Sequence, residues 1–200
     1  MSRVQDSFEA GRAAAGEALS SLGGQAPALV VVFTTPRHQL DQLLAGVRSR
    51  TGSTLLVGAT TSGEIVRGTY MGFGAGVAVL AMTAGPYRFG AASRDHIRGD
   101  LARAARELVA ESRERAGRSS HAAVLLMADA MAGNLQELVE GVYRAAGPKV
   151  TLVGGAAGDE LKFVRCLVLH DGRVVEQGEV PHRPAVPGGA IHGERPSGRE

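Results

Sequence analysis

The sequence predicts an α/β fold: mixed sheets built from two related strand–helix–strand units, each followed by a hairpin, with helices packed on the sheets. Three observations carry this expectation. Short apolar runs rich in β-branched residues alternate with leucine stripes at helical spacing, the same order of elements returns after about 95 residues, and the second apolar run of each unit ends in a turn containing glycine and an acid. A chain of 200 residues with 44% hydrophobic content can bury one ordinary core.

Residues 2 to about 22 place Val4, Phe8, Ala15, Leu19 and Leu22 on one helical face before the Gly23-Gly24 stop. This helix, within residues 1–25, is expected to belong to the domain. ALVVVF at 28–33 suits a strand covered on both faces. Thr35-Pro36 then reads as an N-cap with proline at the first helical position, and Leu40, Leu43, Leu44 and Val47 form one buried stripe. TLLVG at 54–58 is a second strand and leads into the polar turn Ala59 to Glu64. GAGVAVLAM at 74–82 and YRFGAA at 87–92, separated by Gly85-Pro86, read as an antiparallel hairpin. Asp100 caps a helix running to about Ala116.

The pattern then repeats. AAVLLM at 122–127 is a strand, Leu135, Leu138, Val139 and Val142 form a helical stripe, and TLVGG at 151–155 precedes the second turn. Aligned without gaps, Leu56-Val57-Gly58 falls on Leu152-Val153-Gly154 and Glu64-Ile65 on Glu160-Leu161, which predicts an internal duplication. LKFVRCLVLH and RVVEQGEV flank Asp171-Gly172, a hairpin turn signal. Residues 181–200 are rich in proline, glycine, histidine and arginine and predict a disordered tail after a domain spanning 26–180.

Counting excludes several classes. Cys166 is the only cysteine, so no disulfide framework, zinc knuckle or CxxC motif exists. The N-terminus interleaves charge with alanine, unlike a signal peptide, and no apolar run reaches membrane-span length, so the expectation is a cytoplasmic protein without membrane contact. Twenty-two basic residues face 20 acidic ones, and Arg113, Arg115 and Arg118 alternate with Glu111 and Glu114 as a solvated helix face does. With few aromatics, nucleic acid is not an expected partner. No P-loop is present, and Gly72-Phe73-Gly74-Ala75-Gly76 leads into a strand where a dinucleotide fingerprint opens a helix. TTSGE around Ser62 is not a nucleophile elbow. His38, His96, His121 and His170 lie far apart without an HxxxH pair, so no metal site is expected. No enzyme activity is expected; the alternative is a hydrolase using Ser62 or Glu64.

The polar residues cluster after strand ends. If the four apolar runs are parallel strands, Thr34-Thr35, Thr60 to Glu64, Asp129 and Gly155 to Glu160 all follow carboxyl ends, the edge where open α/β sheets bind ligands. Backbone N–H groups and the hydroxyls of Thr60, Thr61 and Ser62 suit a carboxylate, while Glu64, Asp159 or Glu160 suit an ammonium. The candidate binding residues are therefore Thr34, Thr35, Thr60, Thr61, Ser62, Gly63, Glu64, Gly155, Ala157, Gly158, Asp159 and Glu160, for an amino acid or similar zwitterion. The competing reading is that the glycines make tight turns and the acids cap backbone.

At these loops the sequence resembles the FIST domain, a bacterial sensory module. The resemblance rests on VGATTSGEI at 57–65, GVAVLAM at 76–82 and VGGAAGDEL at 153–161 with its following hairpin, and it runs from about residue 26 to 180. It implies a signal-transduction domain that binds a small ligand, with amino acids proposed, and that acts through a partner protein or a homo-oligomer. Some relatives are haem-binding nitric oxide sensors, which would need His38, His96, His121 or His170 as axial ligand; no CxxCH is present, and no cofactor is expected here. The family often has cysteine where this chain has Ala59, and its N-terminal domain is normally followed by a C-terminal one, which is expected to be absent here. A truncated, non-sensing remnant is the remaining alternative.

Overall fold

The computed structural model describes residues 6–66, 68–70, 74, 76–117 and 121–175. The proposed tail at 181–200 lies outside the described residues, as do residues 1–5, where the sequence reading placed the beginning of the first helix.

The first helix, α1 (Ser7–Ser20), begins where the Asp6 side chain accepts the N–H groups of Phe8 and Glu9. β1 (Leu29–Thr34) and β2 (Leu55–Thr60) run parallel, joined by α2 (Leu40–Thr51), so that Leu29 stands beside Leu55 and Thr34 beside Thr60. The α2 helix starts later than Thr35-Pro36 suggests, with Gln39 as its N-cap. Thr34 and Thr35 are instead committed elsewhere, as described below.

A short hairpin, β3 (Ile65–Val66) and β4 (Thr69–Tyr70), follows the first turn and escaped the periodicity, since two-residue strands carry no period. β5 (Val77–Met82) pairs antiparallel with β1, but residues 87–92 form no strand. That segment crosses toward the helix α3 (Leu101–Ala116), and a Cβ on Gly90 would come within 2.3 Å of the Ser112 carbonyl oxygen. Close packing, not a hairpin partner, explains this glycine. Asp100 caps α3 as expected, accepting the Arg103 N–H at 2.9 Å.

The second unit is β6 (Ala123–Asp129), α4 (Leu135–Ala146) and β7 (Thr151–Ala157), with β6 and β7 parallel and Leu126 beside Gly154. The last hairpin, β8 (Val168–His170) and β9 (Arg173–Val175), forms about Asp171-Gly172. It does not extend the second sheet. β8 lies antiparallel on β2, giving a five-stranded sheet in the order β5-β1-β2-β8-β9 beside the separate pair β6-β7.

Alternation along the strands sets two cores. Val30 and Val32 of β1, Leu56 of β2 and Leu167 and Leu169 of the β8 segment face Ala15 of α1 and Leu43, Leu44 and Val47 of α2. On the second pair, Val124, Leu126 and Leu152 face Leu101, Ala105 and Val109 of α3 and Leu138 and Val142 of α4. Between the units, Ala59, Ala157 and Cys166 pack with Phe33, Met127, Ala130 and Met131. This seam brings the carboxyl ends of β1, β2, β6 and β7 together.

Small residues let the helices touch. A Cβ on Gly11 would reach 2.2 Å from the Leu43 carbonyl oxygen, and one on Gly46 would reach 2.0 Å from that of Phe8, so α1 and α2 cross backbone to backbone. No helix among the described residues is long and apolar enough to cross a membrane.

Candidate functional site

The two glycine-and-acid turns meet directly. Thr61 N–H donates to the Thr34 carbonyl at 2.9 Å, Gly158 N–H donates to the Thr60 carbonyl at 2.8 Å, and Glu160 N–H donates to Ser62 Oγ at 3.1 Å. A Cβ on Gly158 would stand 2.7 Å from Ser62 Oγ. The junction is therefore a contact between turns rather than a gap between them, and only glycine fits at 158.

Several of the proposed ligand groups are occupied by the fold itself. Thr34 Oγ1 donates to the Gly76 carbonyl at 2.9 Å, and Thr35 Oγ1 donates to that of Gly74. These fully buried hydroxyls tie β1 to the segment entering β5. Thr60 Oγ1 accepts the Leu167 N–H at 2.9 Å and fixes β8 on β2. Ala157 is buried in the seam. Gly155 stands within β7, two residues before the turn, with no atom near its Cβ position.

Asp159 is the organiser of the second turn. Its carboxylate accepts the N–H groups of Phe163 at 2.9 Å, Val164 at 2.6 Å and Arg165 at 2.9 Å. These bonds hold Glu160, Leu161 and Phe163 at φ values of 59°, 64° and 54°, a left-handed conformation that L-residues seldom adopt. Burial works to raise the Asp159 carboxyl, but the N–H groups of Arg165, Val164, Phe163 and Lys162 outweigh it and hold the group below the usual carboxylate range. This residue behaves as the capping alternative predicts.

Glu64 and Glu160 differ from it. The Glu64 side chain is buried, its Oε1 accepts the Thr61 hydroxyl at 2.5 Å, and its Oε2 has no hydrogen-bond partner among the described residues. Oε2 rests against Gly76, where a Cβ would come within 1.9 Å of it. Burial pushes the Glu64 carboxyl up, against the opposing effects of the Thr61 bond, its own backbone N–H and His38, and Glu160 adds to the upward push. The Glu160 side chain is 3% exposed and is held by Arg37 Nε at 2.7 Å and Lys162 Nζ at 3.1 Å. Burial acts to raise it too, yet these two cations bring it below the ordinary range.

Arg37 and Lys162 therefore stand at the candidate site, where the motif reading did not place them. Arg37 directly follows the Thr34-Thr35-Pro36 segment, and a search for cations near the strand ends would have found it. Both cations are about half exposed, at 52% and 57%. His38, at a strand end in sequence, is buried and faces Ser7 Oγ across 3.2 Å. Asp129 closes β6, buried, with its Oδ1 accepting the Met131 N–H at 2.7 Å.

Cys166 is poorly suited to act as a nucleophile. Burial, with help from Asp159 and Asp129, pushes its thiol up to about 11, so the thiolate is scarce at neutral pH. Among the described residues no three His, Cys, Asp or Glu side chains group to hold a metal. Haem fits poorly among the described residues. His38 and His170 are buried against Ser7 and Ser93, His96 and His121 are exposed, and two cavities in the described fold have no histidine in their walls. One of those cavities, about 620 Å³, is a trough between ion-paired side chains of α3, including Glu107 and Glu111; the other, about 290 Å³, lies against β7.

The rim thus has two carboxyl groups of opposite tendency, two half-exposed cations and the half-buried polar residues Thr61 and Ser62, all set by the junction of two turns. No curated protein and no solved structure matches the chain. Residues 28–180 match the FIST N domain. That match covers well over half of the sequence and includes both turns, so the chain belongs to the FIST N domain family, whose members are sensory domains of signal transduction.

Proposed function

We propose that this domain senses a small zwitterion, of which an amino acid is the simplest, at the junction of the Thr60 to Glu64 and Gly158 to Lys162 turns. The observation that carries the reading is Glu64: a buried carboxyl whose Oε2 has no partner among the described residues, beside a second carboxyl already braced by two cations. An unpartnered buried oxygen costs free energy that a donor can recover. An ammonium is such a donor, and its charge would favour the ionised form of Glu64. Arg37 and Lys162, half exposed, supply the complementary charge for a carboxylate, with Thr61 and Ser62 adding hydroxyls.

In this reading the glycines serve the junction and the acids serve the ligand, apart from Asp159, which serves the turn. The test is thermal unfolding with each amino acid in turn. Linkage predicts that a binder at 100 times its Kd adds about 2.7 kcal/mol to stability. The account expects a shift with at least one amino acid that shrinks severalfold in Glu64→Gln and in Arg37→Ala. Shifts with none of them, or shifts equal in the variants, would reject the site.

A further inference from the structure

The second unit ends in an open strand. Among the described residues β7 pairs with β6 alone, and its sequence, TLVGGAA, has no charge or proline to blunt an edge. Against this edge lies the cavity of about 290 Å³, walled by Leu126, Leu135, Leu138, Val139, Leu152 and Gly154, with no charged residue in its lining. Val139 of this wall is exposed, and so is Tyr143, one turn further along α4.

The first unit shows what closes such an edge. Val57, Gly58 and Ala59 of β2 pair antiparallel with His170, Leu169 and Val168 of β8, and the Leu169 side chain lies over Gly58, 3.3 Å from where its Cβ would be. Gly58 presses on the Val32 carbonyl, and Gly154 presses in the same way on that of Leu126. Leu167 and Leu169 fill the first core, whereas no strand covers Gly154 among the described residues.

We propose that the β7 edge docks one extended strand of a partner polypeptide, antiparallel to Val153–Gly155 and carrying bulky aliphatic residues at alternate positions, as β8 docks on β2. Main-chain bonds supply affinity and the cavity selects the alternate side chains. A second copy of β7 is a poor filler, because the residues sharing its helix-side face are Leu152, Gly154 and Ala156, only one of them bulky. Residues 176–200 of this chain do not carry the pattern in their sequence, since Val180, Val186 and Ile191 never stand at alternate positions and Pro181, Pro184 and Pro187 lack the N–H groups that a ladder needs.

The probe is a fluorescent peptide copying residues 165–171 with Cys166→Ser, titrated into the full chain. A control peptide of the same composition has its two leucines adjacent. The proposal expects saturable binding of the first peptide and at least about tenfold weaker binding of the control. Val139→Glu, and independently Tyr143→Glu, should weaken the first peptide at least about tenfold, while Leu125→Glu on the opposite sheet face leaves it unchanged. No saturable binding, equal binding of the two peptides, or indifference to both α4 variants would overturn it. A wild-type dimer that Val139→Glu dissociates would also overturn it, in favour of a second copy.

Discussion

In the first unit, β2 carries β8 on its outer side, and the paired Val31 and Val57, on the sheet face away from the helices, are 3% exposed and half-buried; in the second, the corresponding pair Leu125 and Val153 stands at 48% and 53%. Both units have a parallel strand pair with helices on one face. The units differ in the closing strand as well: the last hairpin, which follows the second unit in sequence, completes the first unit's sheet. Chain order and spatial order part company here, and the same crossing draws the second turn onto the first. Leu167 is held by Thr60, so the hairpin that leaves β7 open also helps fix the junction where Glu64 and Glu160 stand.

Core truncations should break the symmetry between the units most sharply. Leu56→Ala is expected to cost about 2–5 kcal/mol in urea unfolding, whereas Leu125→Ala should stay within about 0.5 kcal/mol. Equal costs would mean that the second sheet is covered. Next in size is Asp159→Ala, which leaves three backbone N–H groups without their carboxylate and should cost about 2–3 kcal/mol. Because the Asp159 pKa is lowered on folding, its contribution is present above the unfolded value and is lost as pH falls through the folded one. The acid limb of the stability curve should therefore be shallower in the variant.

Helix contacts give a smaller contrast. Gly11→Ala must separate two backbones in the first unit and should cost about 1–3 kcal/mol. Gly141→Ala in the second unit meets the Ala105 Cβ at 2.8 Å, a side-chain contact, and about 1 kcal/mol of helix propensity offsets the strain. Smallest is Glu64→Gln without ligand. The Glu64 pKa is raised on folding, so its contribution is present below the unfolded value and is lost as pH rises through the folded one. The variant should melt above wild type at pH 7 to 8, with the gap closing toward pH 4; a lower melting temperature at neutral pH would contradict the burial cost.

Much of this was legible in the residues. The apolar runs and leucine stripes located five strands, β1, β2, β5, β6 and β7, and the four helices among the described residues, because burial on one face imposes a period. The Asp171-Gly172 turn located the last hairpin. What periodicity does not carry is partner choice: nothing in LKFVRCLVLH says that it adds to β2 rather than to the nearer β7. YRFGAA looked like a strand because its alternation matched one, yet Gly90 is there to let α3 approach. Thr35-Pro36 had the form of a helix start, but the Thr35 hydroxyl goes to the Gly74 carbonyl and the helix waits until Leu40. At the site, the loops and both glutamates were visible as motif residues. Arg37 was not, since an ion pair across 123 residues leaves no local pattern, and Lys162, two residues from Glu160, falls just past the VGGAAGDEL motif.

The central claim is that the joined turns are where a ligand acts. Amide NMR shifts followed during titration with an amino acid that raises the melting temperature test it directly. The account predicts saturable shifts confined to Arg37, Thr61 to Glu64 and Gly158 to Lys162, lost in Glu64→Gln. Shifts centred on β7 and α4, or spread without saturation, would contradict it.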